Sequence, residues 1–101
     1  MSKGTLEIFK ENWERQIAKI EKEAIDSDGV NLIRLHFQRD RAILELSMNE
    51  REFTRQVQVE LDMLESKLTI ALETARSRYR LRNRGLWARI FGGIIEKIPK
   101  K

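Results

Sequence analysis

Five arginines occupy every second position of one short stretch, and their chemistry is the clearest functional signal in the chain. They are Arg76, Arg78, Arg80, Arg82 and Arg84. A guanidinium group binds phosphate through a planar fork of donors and is less strongly hydrated than an ammonium group. A stretch that uses arginine without a single lysine therefore indicates a phosphate-bearing partner. Lipid headgroups and nucleic acids both satisfy that preference.

The charge of the chain is divided between its two parts. The whole sequence has 101 residues and a formal net charge of +4, yet residues 1–75 contain 11 Lys/Arg against 15 Asp/Glu, a balance of −4. Residues 76–101 contain nine Lys/Arg and one acid, Glu96, a balance of +8. Such an asymmetry indicates that the second part contacts an anionic surface. A solvated basic end without a partner is the plainer alternative.

An apolar segment follows the arginines. Placed at the helical angle of 100° per residue, its large side chains fill one continuous arc of a helix. We expect Gly85 to end or bend the preceding helix and a short amphipathic helix to follow it. The predicted contact residues for a membrane or a phosphate group are Arg76, Arg78, Arg80, Arg82, Arg84, Arg89, Trp87, Ile90, Phe91, Ile94 and Ile98.

One run within this segment has a familiar pattern. It reads Gly85-Leu86-Trp87-Ala88-Arg89-Ile90-Phe91-Gly92-Gly93. In pattern it resembles the C-terminal membrane-targeting helices of bacterial division-site ATPases, which implies attachment to a lipid surface. The resemblance covers this segment alone and implies no ATPase activity, because the sequence has no P-loop. Docking of the apolar arc on the protein's own core or on a neighbouring subunit is the other interpretation.

No arrangement of residues in the sequence indicates catalysis. There is no Cys, and His36 is the only histidine, so thiolate zinc sites, Cys nucleophiles and paired-His metal sites are excluded. The carboxylate pairs Glu50/Glu52 and Glu60/Asp62 are two residues apart, so their members would not face each other on a helix. We therefore predict no enzyme activity and no catalytic, cofactor-binding or metal-binding residue.

The elements that must position the basic segment begin with a helix, predicted over residues 5–26. Apolar side chains recur there at spacings of three or four and share one face: Leu6, Phe9, Trp13, Ile17, Ile20 and Ala24. Thr5 is the predicted N-cap. The run Asp26-Ser27-Asp28-Gly29 is predicted to end the helix and turn the chain.

Residues 30–47 fit the pattern of two strands. Ile33, Leu35 and Phe37 alternate with polar residues, and the alternation resumes after Arg39-Asp40-Arg41. A period of two predicts a β-hairpin. A hairpin of two strands is not stable alone, so it would have to pack on the helices or add strands from another subunit.

The same residues fit a helix less well. On a helix, four apolar residues would share one face: Leu32, Leu35, Ile43 and Leu46. Arg39 falls among them, whereas Phe37 and Leu44 do not join them. The hairpin is therefore the preferred interpretation.

A second, long helix is predicted to start at the S-x-x-E capping box formed by Ser47 and Glu50. Seven apolar residues follow at heptad-like spacing: Phe53, Val57, Leu61, Leu64, Leu68, Ala71 and Ala75. A helix of about 35 residues is roughly 50 Å long, more than so small a chain can cover with its own core. We therefore predict that these seven residues mediate formation of a homo-oligomer.

The predicted fold class is α+β, mainly α: a helix, a β-hairpin, a long coiled-coil-like helix and a short C-terminal amphipathic helix. Residues 1–75 are expected to form an acidic oligomerisation domain and residues 76–101 a basic tail. No run of 18 apolar residues and no signal peptide is present, so we expect a cytoplasmic protein that is peripheral at a membrane.

The expected function is that of a non-enzymatic, self-associating scaffold or adaptor. It would attach to an anionic membrane surface through its basic C-terminus and recruit a protein partner that the sequence does not identify. Two alternatives remain. The arginines can bind the phosphates of a nucleic acid, or the chain can be a small subunit or inhibitor buried in a larger assembly.

Overall fold

Three helices form an up-down-up bundle in the computed structural model, which describes residues 4–95, with side chains described as far as Arg82. The helices are α1 (Thr5–Ile20), α2 (Ser27–Ser47) and α3 (Arg55–Ile95). Contacts across the bundle give their directions: Arg34 Nη2 lies 3.0 Å from Glu73 Oε1 and Arg41 Nη2 lies 2.8 Å from Asp62 Oδ1, so α2 is antiparallel to α3. α1 runs alongside both.

The predicted β-hairpin, and with it the α+β fold class, is wrong. Residues 30–47 all lie in α2, and no strand occurs among residues 4–95. The reason is that α2 has two apolar faces. Val30, Phe37 and Leu44, spaced seven apart, are buried in the bundle. A second apolar stripe lies on the opposite face, and the two interleave along the sequence into a period of two.

The connection between α1 and α2 also differs from the prediction. α1 ends at Ile20 instead of residue 26, and the residue before its first turn is Gly4, so Thr5 is not the N-cap. Asp26 caps α2, because its Oδ1 accepts a 2.7 Å hydrogen bond from the backbone N–H of Gly29. The run that was expected to stop a helix therefore starts one.

The predicted capping box does not start α3. The Ser47 hydroxyl instead donates to the carbonyl of Leu44 (2.7 Å) at the end of α2. In the loop that follows, Asn49 Oδ1 accepts a 2.9 Å hydrogen bond from the backbone N–H of Glu52. Thr54 Oγ1 then accepts one from the N–H of Val57 (3.3 Å), and α3 begins at Arg55.

The core lies where the three helices meet. The predicted apolar face of the first helix is confirmed for Phe9, Trp13, Ile17 and Ile20, which are buried; Leu6 is partly buried, and Ala24 lies beyond the end of α1. The Trp13 and Phe37 rings meet edge to face with centroids 5.1 Å apart, and Trp13 Nε1 donates to Asp40 Oδ2 at 3.2 Å. α1 and α2 thus share one aromatic cluster, and the leucines of α3 close it from the third side.

Arg41 joins α2 to α3 through acidic groups of both helices. Its guanidinium lies 2.8 Å from Asp62, 3.2 Å from Glu45 and 3.5 Å from Glu65. Burial alone would lower the pKa of Arg41, but the hydrogen bonds to Asp62 and Glu45 outweigh it and raise the pKa above the ordinary arginine value. The cation therefore stays charged and holds the antiparallel register of the two helices.

Candidate functional site: the basic arm of α3

α3 continues past the point where the bundle ends. Ala75 is the last buried residue among the side chains described, and the helix runs on to Ile95. The backbone N–H of Ile25 donates to the carbonyl of Ala75 (3.1 Å), which places the α1–α2 connection beside this point. We call residues 76–95 the basic arm. At 1.5 Å per residue the arm is about 30 Å long.

The line of α3 that faces the core changes its chemistry at this point. Leu61, Leu64, Leu68 and Ala75 are buried along it. The next residue at the same helical spacing is Arg78, and Arg82 follows four residues later. A helix packed against this part of α3, as α1 and α2 pack against the part before it, would bury guanidinium groups. Such burial is unfavourable without acidic partners. The hydrophobic core therefore stops at Ala75, and the surface that follows is polar and cationic.

Two of the predicted phosphate-binding arginines are already engaged within the chain. Arg76 Nη2 lies 2.7 Å from Glu73 Oε2, and Glu73 also holds Arg34. Arg78 Nη1 donates to the backbone carbonyl of Glu23 at 3.1 Å, so it fastens the root of the arm to the α1–α2 connection. The contact of Arg78 could not be read from the sequence pattern because its partner lies 55 residues away, whereas Arg76 pairs with an acid three residues before it in the same helix.

Arg80 and Arg82 are different. Both side chains are exposed, as is Leu81 between them, and no described residue forms an ion pair with either arginine. They lie two residues apart on a helix, so their side chains diverge by about 200° and cannot clamp one phosphate together. They instead present cations on opposite sides of the arm, so each would contact an anionic group independently of the other.

The remaining predicted contact residues lie farther along the chain. Arg84, Trp87, Arg89, Ile90, Phe91 and Ile94 belong to the backbone of α3, but their side chains lie outside the described set, and Ile98 lies outside the described residues. The predicted end of the helix at Gly85 is wrong, since α3 is helical through Gly85, Gly92 and Gly93. The segment is accordingly the end of one 41-residue helix and not a separate short helix.

The seven residues predicted to form an oligomer interface face the interior of a single chain. Leu61, Leu64, Leu68, Ala71 and Ala75 are buried, and Phe53 and Val57 are partly buried against the same core. α1 and α2 of the same chain cover this part of α3, which the sequence predicted would be covered by a second copy. A partner could reach these residues only if the bundle opened, and their role in self-association stays a prediction.

Other chemistry is sparse in the described part of the chain. No group of three or more His, Asp or Glu residues is arranged to hold a metal ion among the residues that were described. His36 is exposed, and no buried side-chain nitrogen or oxygen lacks a hydrogen-bond partner in this region. None of the helices, within their described residues, is long and apolar enough to cross a membrane.

Comparisons with known proteins identify no relative of this chain. No family model matches the chain, no curated protein matches it, and no solved structure matches it. A function for this chain must therefore be argued from its own residues.

Proposed function

We propose that this protein is a non-enzymatic adaptor that attaches to an anionic membrane surface through the basic arm and self-associates through its bundle. The observation that carries the proposal is the change along one helix. α3 is a core helix as far as Ala75, and it then continues as a helix whose first exposed cations, Arg80 and Arg82, have no described acidic partner.

The arm combines two kinds of attraction to a lipid surface. Each basic residue near an anionic membrane contributes about 1 kcal/mol, and the arm carries six arginines, of which Arg76 and Arg78 already bind groups of this chain. The apolar residues from Leu86 to Ile95 fall on one arc of a helix by their sequence spacing, and partial burial adds on the order of 1 kcal/mol for each large side chain. Since α3 is helical to Ile95, the backbone has the conformation that this arc requires.

The apolar arc favours a membrane over a nucleic acid. Phosphate binding gives no use to Trp87, Phe91 and the isoleucines that accompany them, whereas a lipid interface accommodates tryptophan and phenylalanine at headgroup depth. The acidic bundle would then face away from the lipid and recruit the protein partner.

Vesicle flotation tests the proposal with a matched pair of variants. Arg80→Glu with Arg82→Glu should abolish the preference for vesicles containing phosphatidylserine over neutral phosphatidylcholine vesicles. Arg51→Glu with Arg55→Glu changes the net charge by the same amount at the opposite end of the bundle, on exposed side chains, and should leave flotation unchanged. Equal losses in both variants would show that overall charge, and not the arm, controls binding, and would contradict the proposal.

Salt separates a membrane from a nucleic acid. If five or six arginines contacted nucleic-acid phosphates, the logarithm of the affinity would fall with the logarithm of the salt concentration with a slope of about −4.5 to −5.5. Lipid binding should instead keep a salt-resistant part, because apolar burial is not screened. Trp87→Ala with Phe91→Ala should remove that part. Failure to bind vesicles at any salt, together with tight, salt-sensitive binding to RNA or DNA, would overturn the membrane proposal.

A further inference from the structure

α2 carries an apolar stripe that nothing in the chain covers. Its four residues, which we call the outer stripe, are Leu32, Leu35, Ile43 and Leu46, with exposed fractions of 56%, 66%, 58% and 87%. The outer stripe lies on the side of α2 opposite Phe37 and the other buried residues. A helix that is apolar on both sides is normally covered on both sides. The free chain therefore leaves one interface unfilled.

The spacing of the outer stripe along the sequence is symmetric about its midpoint. Its residues are separated by three, eight and three positions, and Arg39 lies at the midpoint. In a two-fold symmetric pair, residue i contacts residue j of the partner and j contacts i. Two antiparallel copies of α2 would thus bring Leu32 opposite Leu46 of the partner subunit and Leu35 opposite Ile43 of the partner subunit, with no apolar residue left over.

We propose that two copies of this protein dimerise through antiparallel contact of their outer stripes, with Arg39 near the two-fold axis. This inference names the surface for the self-association in the proposed function, and it does not depend on membrane attachment. The surface differs from the α3 seam, which is already filled by α1 and α2. It also differs from the outer side of α3, where Val59, Met63, Ile70 and Leu81 are exposed but their spacings of four, seven and eleven are not symmetric, so two antiparallel copies would not pair them with one another.

The area of the stripe fits a small reversible dimer. Its exposed side chains amount to roughly 300 Å² of apolar surface for each copy, taking on the order of 100 Å² for a fully exposed leucine or isoleucine. Two copies would bury about 600 Å². Since the centre of a homodimer interface is about 65% apolar, the whole contact would approach the roughly 1,000 Å² that specific association needs. We therefore expect a dimer that dissociates on dilution.

Arg39 limits the affinity and sets the geometry. Its guanidinium lies 3.7 Å from the carboxylate of Asp40, which partly offsets its charge. Near the two-fold axis it would approach its own symmetry mate, and like charges repel. A single polar residue within an apolar seam fixes the register at a cost in stability. Its removal should accordingly strengthen the dimer.

Sedimentation equilibrium of the full chain without lipid tests the dimer. The unmodified protein should show a concentration-dependent monomer–dimer equilibrium. Leu35→Glu should weaken the dimer by about tenfold or more, because two copies of the charge enter the apolar contact. Ile70→Glu is the matched control on α3, equally exposed, and should leave the equilibrium unchanged. Arg39→Leu should strengthen the dimer by about tenfold.

A compensating variant tests the antiparallel arrangement. In a chain that carries Leu35→Glu and Ile43→Lys together, antiparallel packing sets the new carboxylate of one copy opposite the new ammonium group of the other, and dimerisation should recover. In a parallel pair each new charge would face its like, and no recovery would occur. Circular-dichroism melting confirms that each variant is folded.

Three results would overturn the inference. They are a chain that stays monomeric at all concentrations, a dimer that survives Leu35→Glu, and a folded double variant that does not recover. Because lipid is absent from the experiment, none of these results depends on the proposed membrane attachment, and vesicle binding that persists in a monomeric Leu35→Glu variant would leave that proposal intact.

Discussion

The two parts of α3 have the same backbone but different surroundings. From Arg55 to Ala75 the helix carries leucines and alanines that α1 and α2 cover. From Arg76 the helix carries arginines instead: Arg78 and Arg82 continue the same line, and Arg78 fastens the root of the arm to the α1–α2 connection. Helical continuity therefore does not imply continuity of role. Residue chemistry along one line decides where the folded core ends and an interaction surface begins.

The largest expected difference between the two parts is in stability. Leu64→Asp with Leu68→Asp places two carboxylates among buried side chains without partners, which should cost several kcal/mol each and unfold the bundle. Arg80→Glu with Arg82→Glu changes exposed residues and should shift the melting temperature little. Circular-dichroism melting compares them. A melting temperature that falls equally in both variants would show that the arm is part of the cooperative unit.

A smaller effect separates the two faces of α2 within the bundle. Phe37→Ala removes a buried ring that contacts Phe9 and Trp13 and should cost about 3–5 kcal/mol of unfolding free energy. Leu35→Ala, two residues away on the outer stripe, should change it by about 0.5 kcal/mol or less when measured on the dilute monomer. Urea unfolding gives both values. Similar costs would contradict the placement of the two faces.

The smallest effect concerns the start of α2. Asp26→Ala removes the acceptor of the Gly29 N–H and should cost about 1 kcal/mol. Asp28→Ala changes an exposed carboxylate in the same first turn that caps no backbone group, so only a few tenths of a kcal/mol are expected from the helix dipole. A larger loss for Asp28→Ala than for Asp26→Ala in urea unfolding would argue that Asp26 does not cap α2.

The sequence predicts α1 and the buried line of α3 because the buried residues of each recur at helical spacing. It fails on α2, where Phe37 and Leu44 on the inner face and Leu35 and Ile43 on the outer face together produce alternation. A helix with two apolar faces resembles a strand in a test of periodicity. A helix fits these residues less well in the sequence alone because Phe37 does not join the stripe of Leu35. That mismatch was the sign of a second face.

The candidate site is predictable only in part, for a related reason. The alternating arginines identify a cationic stretch, but spacing cannot tell an arginine that binds a neighbour from one that is free. Arg78 donates to a carbonyl of the α1–α2 connection, and that contact exists only once the bundle has formed. Gly85 misleads for another reason: a glycine lowers helix propensity by about 1 kcal/mol, and a long flanking helix overrides that local preference.

Tryptophan fluorescence tests membrane attachment through the arm most directly. The chain contains two tryptophans, Trp13 in the core of the bundle and Trp87 in the arm. Addition of phosphatidylserine-containing vesicles should shift the emission to shorter wavelength, and brominated lipids should quench it. Trp87→Phe keeps an aromatic ring in the arm but leaves Trp13, in the core of the bundle, as the only fluorescent tryptophan. Both changes should therefore disappear in this variant. Unchanged emission with saturating vesicles, or changes that persist in Trp87→Phe, would contradict insertion of the arm into the lipid surface.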